Sequence, residues 1–176
     1  EYSCFDIRYF KNNSHFPVLP SPLNIETLGE GNTPVVRFKD KFPVLGDLMF
    51  KLEYFSPTGS FKDRGTSLLL SKAKEAGVKE FVEDSSGNAG ASMSAYAKNL
   101  GIKCHIFVPE QTPLNKKNQV KIFGGELHNI SGPRQNSTAA AKEFCIITGI
   151  PYVSHNYNPN FIEGMSSVGD ESYDDF

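Results

Sequence analysis

The sequence has no apolar run that could cross a bilayer, no C-x-x-C pair, neither of the glycine-rich nucleotide signatures and no strong excess of either charge. Each absence closes a class of function. A membrane span needs about 20 consecutive apolar residues, and the opening stretch EYSCFDIRYF has no charged-then-apolar leader pattern, so a cytoplasmic protein with no membrane partner is expected. The three cysteines, Cys4, Cys104 and Cys145, are odd in number and far apart, which removes zinc-ribbon and thioredoxin-like readings and leaves no metal site expected. Cys104 and Cys145 lie in apolar stretches and read as buried, inert thiols. A net charge of −2, from 18 basic and 20 acidic residues, is too small to point to nucleic acid. G-x-x-x-x-G-K-[ST] and G-x-G-x-x-G are both missing, so nucleotide binding has no support.

What is present reads as an α/β protein. Hydrophobic content of 39% and charged content of 22% suit a packed core, and 176 residues suit one domain or two small ones. The segment to about Asn32, with Pro17, Pro20 and Pro22, reads as irregular chain. Met49 to Phe55 reads as a strand leading into the turn Ser56-Pro57-Thr58-Gly59, and the stretch from Ser60 reads as a helix stopped at Gly77. From there strands (80–84, 103–108, 126–130, 152–154) alternate with helices (90–100, 113–123, 133–148), the helices stopped by Gly101, Gly124 and Gly149. That alternation predicts a parallel sheet covered on both faces, forming a lobe over about residues 79–155.

Two turns carry chemistry. In Ser56-Pro57-Thr58-Gly59-Ser60-Phe61-Lys62-Asp63-Arg64-Gly65 a lysine stands at a helix start, where the dipole disfavours its ammonium. A lysine that gives up its proton can form a Schiff base with a carbonyl cofactor. The alternative is a solvated first-turn lysine with Asp63 and Arg64 as surface charges. Ser85-Ser86-Gly87-Asn88-Ala89-Gly90 follows a strand and opens a helix, so its N–H groups and hydroxyls can hold an anion at the strand-end crevice. The alternative is a plain helix cap.

Taken together, these turns resemble the tryptophan-synthase-β type (fold type II) of pyridoxal-phosphate enzymes, and within it the threonine synthases. Gly29-Glu30-Gly31-Asn32-Thr33-Pro34 resembles the family motif before the first strand, Pro57 through Gly65 its cofactor-lysine motif, Ser85 through Gly90 its substrate-carboxylate loop, and Asn158 through Gly164 the segment returning to the large lobe. The resemblance implies pyridoxal 5'-phosphate as cofactor. Lys62 would be the Schiff-base lysine and proton carrier, and Asn88 would bond the ring hydroxyl. Ser86, Asn88 and Ala89 would grip the substrate carboxylate, with Ser85 and Gly87 in the same loop. It further implies a homodimer, an amino-acid substrate, and conversion of O-phosphohomoserine and water to threonine and phosphate. Threonine or serine dehydratase and a cysteate-forming enzyme are the alternatives, with a non-catalytic fragment or regulatory chain a further one.

The chain is expected to divide into an amino-terminal part of the large domain (1–78), a small α/β domain (79–155) and a return segment (156–176). The family's glycine-rich cofactor-phosphate loop and its hydroxyl residue facing the pyridine nitrogen have no counterpart here. The tail from Ser166 to Phe176 is polar and acidic where the family continues as a helix. Phe161 stands where some threonine synthases carry a phosphate-binding arginine, leaving Lys51, His155 and Asn156 as candidate substitutes, although a lone histidine is more often simply hydrogen-bonded. Lys116, Lys117 and Lys121 read as a solvated helix face. Half a lobe leaves apolar surface uncovered, so the chain by itself is expected to be inactive or poorly soluble. Robust turnover by these 176 residues alone would contradict this.

Overall fold

A computed structural model describes residues 25–42 and 46–175; Cys4 and most of the proline-rich segment lie outside them. The strands are β1 (Val35–Phe42), β2 (Gly46–Lys51), β3 (Glu80–Glu83), β4 (Lys103–Pro109) and β5 (Glu126–Ile130). The helices are α1 (Lys62–Glu75), α2 (Asn88–Leu100), α3 (Leu114–Ile122), α4 (Arg134–Thr148) and α5 (Pro159–Asp175). β3, β4 and β5 form a parallel sheet in that order. Its alternation explains why both faces are apolar. Phe81, Ile106 and Val108 pack with Leu69, Leu70, Met93, Tyr96 and Val120 on one side, while Val82 and Phe107 pack with Ala141 and Phe144 of α4 on the other. Gly77, Gly101, Gly124 and Gly149 follow the helices with positive φ, as their position in the sequence predicts.

Three expectations are corrected. The fourth strand of the sheet, 152–154, is reduced to one parallel bridge between Val82 and Tyr152, because the segment is short and Pro151 has no N–H to extend the ladder. The strand expected over Met49–Phe55 ends at Lys51 and turns into a 3-10 segment, Glu53–Phe55. It pairs antiparallel with β1, whose strand had no reading in the sequence. Phe38 and Phe50 meet edge to face across this hairpin, and with Val36, Leu52 and Tyr54 they line an open apolar hollow.

The third correction is the tail. Residues 159–175 form α5 rather than a polar terminus. Pro159 opens the helix, where a missing N–H costs nothing. Asn160, Phe161, Gly164 and Ser167 make its buried face, packed on α1. The two helices approach so closely that a Cβ on Gly164 would lie 2.3 Å from the Arg64 carbonyl, and one on Gly65 would lie 2.8 Å from the Phe161 ring.

Arg64 fastens this crossing. Its side chain is 0% exposed, and its guanidinium donates to both oxygens of Glu53 at 2.8 Å and to those of Glu171 at 2.8 and 2.7 Å. Ser167 and Thr33 hydroxyls complete its partners at 3.1 and 3.3 Å. Glu171 also accepts from the Asn32 N–H at 2.8 Å and pairs with Lys51 at 3.0 Å. Burial alone would raise the Glu171 pKa. Hydrogen bonds from Arg64, the Asn32 N–H and Lys51, with the Arg64 charge, hold it instead at about 2.

A carboxyl lowered from 4.5 to about 2 on folding contributes stability that is complete above the unfolded value and is lost as pH falls through the folded one. The shift corresponds to about 3 kcal/mol. Acid unfolding of the chain is therefore expected to steepen below about pH 4.5, and Glu171→Gln is expected to flatten that limb while destabilising the chain at neutral pH by about 3 kcal/mol. Denaturant melts across pH check both. Gly164→Ala is expected to cost at least ~1–3 kcal/mol through overpacking in the same assay.

Candidate active site

The lysine turn is built by its own short-range bonds. Gly59, with a φ of 78° that favours glycine, donates its N–H to the Ser56 carbonyl at 2.8 Å. Asp63 is fully buried and accepts from the Thr58 N–H at 2.7 Å and the Thr58 hydroxyl at 2.6 Å. The loop is thereby tied to the first turn of α1. Lys62 is the first residue of that helix and half-buried. Its Nζ lies 4.9 Å from the Phe61 ring centre and 5.3 Å from that of Phe161. Phe161 is buried and edge-on to His155, so it serves as packing beneath the amine.

The second turn begins where β3 ends. A Cβ on Gly90 would stand 2.1 Å from the Ser85 carbonyl, so the return of the chain into α2 requires glycine there. Ser85 is buried and its Oγ accepts from the Gly87 N–H at 3.4 Å. Gly87 caps α2 without any side-chain bond, which leaves the first N–H groups of the helix, at Asn88, Ala89 and Gly90, without an intrahelical acceptor. Such an end suits a carboxylate or phosphate.

Ser92 of α2 joins the two turns. Its hydroxyl donates to Asp63 Oδ1 at 2.5 Å and lies 2.8 Å from the Thr66 hydroxyl of α1, which donates to the Lys62 carbonyl at 3.0 Å. The Lys62 helix and the Ser85–Gly90 turn are therefore held side by side. Two further cations flank them. Lys116 Nζ of α3 donates to the exposed Asn88 Oδ1 at 2.9 Å, and Gln119 of the same helix donates to the Thr58 carbonyl at 3.3 Å. Arg134, opening α4, donates to the Asp84 carbonyl at 3.1 Å and to Ser86 Oγ at 3.5 Å. Below the turn the Tyr152 hydroxyl donates to Asp84 at 2.7 Å, and burial and that carboxylate push the phenol's pKa up, so it remains a donor.

The other residues expected at the site have different surroundings. Lys51 pairs with Glu171 and Asp175 at 3.0 and 2.7 Å, in the Arg64 assembly. Asn156 is exposed, its N–H donating to Ser154 Oγ at 3.3 Å. His155 is hydrogen-bonded to buried Glu83 at 2.8 Å, the ordinary role for a lone histidine; burial raises the Glu83 pKa and the His155 contact opposes it. Cys104 is buried and its thiol pKa is pushed well up by that burial, whereas Cys145 is only half-buried. Lys116 departs from the expected solvated face, and Asp63 and Arg64 are buried rather than surface charges. Arg134 had no reading in the sequence; its place one residue after Gly132-Pro133, at the carboxyl end of β5, is the signal that could have found it.

The sequence pattern of the family described as "Pyridoxal-phosphate dependent enzyme" matches residues 26–176. The chain belongs to this family. Among curated relatives, a threonine synthase from Bacillus sp. (strain ULM1) is 36% identical over 159 residues, covering 87% of this chain and 45% of the relative. A threonine synthase from Methanocaldococcus jannaschii is 33% identical over 153 residues, 85% and 38% of the two chains. A solved pyridoxal 5'-phosphate-dependent aspartate racemase superposes with a TM-score of 0.72 at 25% identity, covering 81% of this chain and 46% of that one. A hydrogen sulfide-producing enzyme gives 0.71 at 28% identity, covering 83% and 47%. The chain thus has the fold type II α/β architecture and spans less than half the length of these relatives.

The donor set fits an aldehyde-bearing anionic ring: an amine in Lys62, an amide in Asn88, open helix N–H groups and two cations. Removing the Ser92 hydroxyl should uncouple its halves. Ser92→Ala is expected to destabilise the chain by about 1–3 kcal/mol, since buried Asp63 loses a donor, and to speed hydrogen exchange at the amides of the Thr58–Lys62 turn. Unchanged exchange there would show that the hydroxyl does not hold the turn.

Proposed function

We propose that this chain carries the lysine-bearing part of a pyridoxal-phosphate-dependent carbon–oxygen lyase of the threonine synthase kind, converting O-phosphohomoserine and water to threonine and phosphate. The observation that carries the reading is the Ser92 bridge, which ties the helix that Lys62 begins to the helix that the Ser85–Gly90 turn opens. The relatives described as threonine synthases support it. We further propose the division into residues 1–78 and 156–176 of a large domain and a small domain over 79–155, and a homodimer as the working assembly.

When bound, pyridoxal 5'-phosphate supplies an electron sink for charge developing on the substrate's α carbon. In this reading Lys62 holds the cofactor aldehyde through Nζ and then moves protons at the substrate carbon. Asn88 hydrogen-bonds the ring hydroxyl. Ser86, Asn88 and Ala89 hold the substrate carboxylate at the open end of α2, with Ser85 and Gly87 shaping the loop. Arg64 and Asp63 keep Lys62 in place from beneath.

The substrate phosphate needs a cation, and Phe161, buried against α1, cannot supply one. Lys51 is engaged by two carboxylates. Lys116 is the ammonium beside the substrate loop, able to exchange its bond to Asn88 for a phosphate oxygen.

The full-length protein with its cofactor is expected to release phosphate from O-phosphohomoserine faster than it forms 2-oxobutyrate from threonine. The reverse order would favour a dehydratase, and sulfite-dependent phosphate release from phosphoserine a cysteate-forming enzyme. Lys62→Ala is expected to abolish the visible absorbance of the lysine-bound cofactor together with turnover. Absence of that absorbance from the unaltered full-length protein would favour a binding or regulatory chain. Lys116→Met is expected to raise KM for the phosphorylated substrate about tenfold, the equivalent of about 1.4 kcal/mol of lost charge-assisted hydrogen bonding, with a smaller change in kcat.

A further inference from the structure

Strand β3 of the parallel sheet delivers the Ser85–Gly90 turn at its carboxyl end; a different cluster stands toward the amino ends of the strands. His105 lies opposite Glu126, and Phe107 opposite His128, in the β4–β5 register. Alternation then puts His105, Glu126 and His128 on one face of the sheet. The His105 side chain is 3% exposed. Its Nε2 lies 2.7 Å from a Glu80 oxygen and its Nδ1 lies 3.0 Å from His128 Nε2. With Glu80 accepting the Nε2 proton, Nδ1 presents a lone pair to the same spot as His128 Nε2.

Glu126 Oε1 completes the group, 3.8 Å from His105 Nδ1 and 3.9 Å from His128 Nε2. Its other oxygen is taken by Lys103 at 3.2 Å, and Lys103 also pairs with Glu80 at 2.9 Å. Lys103 therefore balances the carboxylates without covering the oxygen that faces the imidazoles. A triangle with edges of 3.0, 3.8 and 3.9 Å has its equidistant point about 2.1 Å from every corner, the length of a zinc–imidazole or zinc–carboxylate bond. Among the described residues these three make the one group of metal-ligating side chains drawn so closely together.

We propose that His105, His128 and Glu126 form a site for a divalent transition cation of the zinc type, with Glu80 orienting His105. Two imidazoles and one carboxylate suit such an ion and not calcium or magnesium, which take oxygen ligands. A carboxylate on the far nitrogen of a ligating histidine fixes its tautomer and strengthens it as a donor. Three donors leave a fourth position on the exposed Glu126 side, open to water. The ion would tie β4 to the edge strand β5, and the site does not depend on cofactor chemistry.

Zinc titrated into the chain against a chromogenic chelator, and cobalt followed by its visible ligand-field bands, test the site. The expected result is one equivalent bound per chain, with a cobalt spectrum of low coordination number and a rise in Tm. Glu126→Gln, which alters an exposed side chain and leaves the far-ultraviolet dichroism unchanged, is expected to weaken binding by at least ~10-fold. The same loss is expected of His128→Phe, whose ring preserves the stack on Phe107, and a loss of about tenfold of Glu80→Gln. Lys103→Met is expected to retain the ion. Failure to bind one equivalent of zinc, or binding of unaltered affinity in Glu126→Gln and His128→Phe, would overturn the proposal and leave His105 and His128 as a hydrogen-bonded pair only.

Discussion

The guanidinium of Arg64, buried at the crossing of α1 and α5, is the constraint on which the lysine turn depends. A buried cation is costly unless its hydrogen-bonding positions are met and its charge balanced. Here two carboxylates grip it through paired bonds, and hydroxyls from Ser167 and Thr33 take part as well. The partners come from four places in the chain: the irregular segment before β1, the 3-10 segment after β2, and two turns of α5. Because Arg64 stands two residues after Lys62, fixing the guanidinium fixes the first turn of α1, and with it the origin of the lysine side chain.

The two residues that follow the lysine divide the work by direction. Arg64 reaches outward to α5, whereas Asp63 reaches back to Thr58 and across to Ser92. One motif therefore addresses both neighbouring bodies at once, with the amine standing between them over Phe61 and Phe161. Glycine enters at the closest approaches: Gly65 and Gly164 where helices touch, and Gly90 where the loop folds back on Ser85. Along the strands of the sheet, the Asn88 amide and the open N–H groups of α2 lie past the carboxyl end of β3, while the His105–His128 pair lies toward the amino ends of β4 and β5.

Local signals were readable in the sequence. The regular alternation from residue 79, the glycines closing the helices and the sharp turn before Lys62 all act over a few residues, and the structure follows them closely. Long-range pairing was not readable. Asp63 and Arg64 look like any first-turn charges until partners 29 and 107 residues away are known. The tail past Ser166 looks too polar to be structural because its acidic residues face Arg64 and Lys51, not water alone. Lys116 and Arg134 carry no local mark of their place; they reach the Ser85–Gly90 turn because α3 and α4 begin at the strand ends where that turn also lies. Phe161 could be recognised as unable to hold a phosphate, but its packing on Gly65 needed the helix crossing.

The Arg64 assembly also sets an order of events for a chain emerging from the ribosome. The sheet and its helices depend on neighbours a few tens of residues apart, and contacts of that kind form early because little chain must be closed into a loop. The arginine, by contrast, must wait for Glu171, more than a hundred residues downstream. During that interval the lysine's helix has a charged group with half its partners missing. The nascent molecule thus acquires its scaffold before the Lys62 side chain is locked into position.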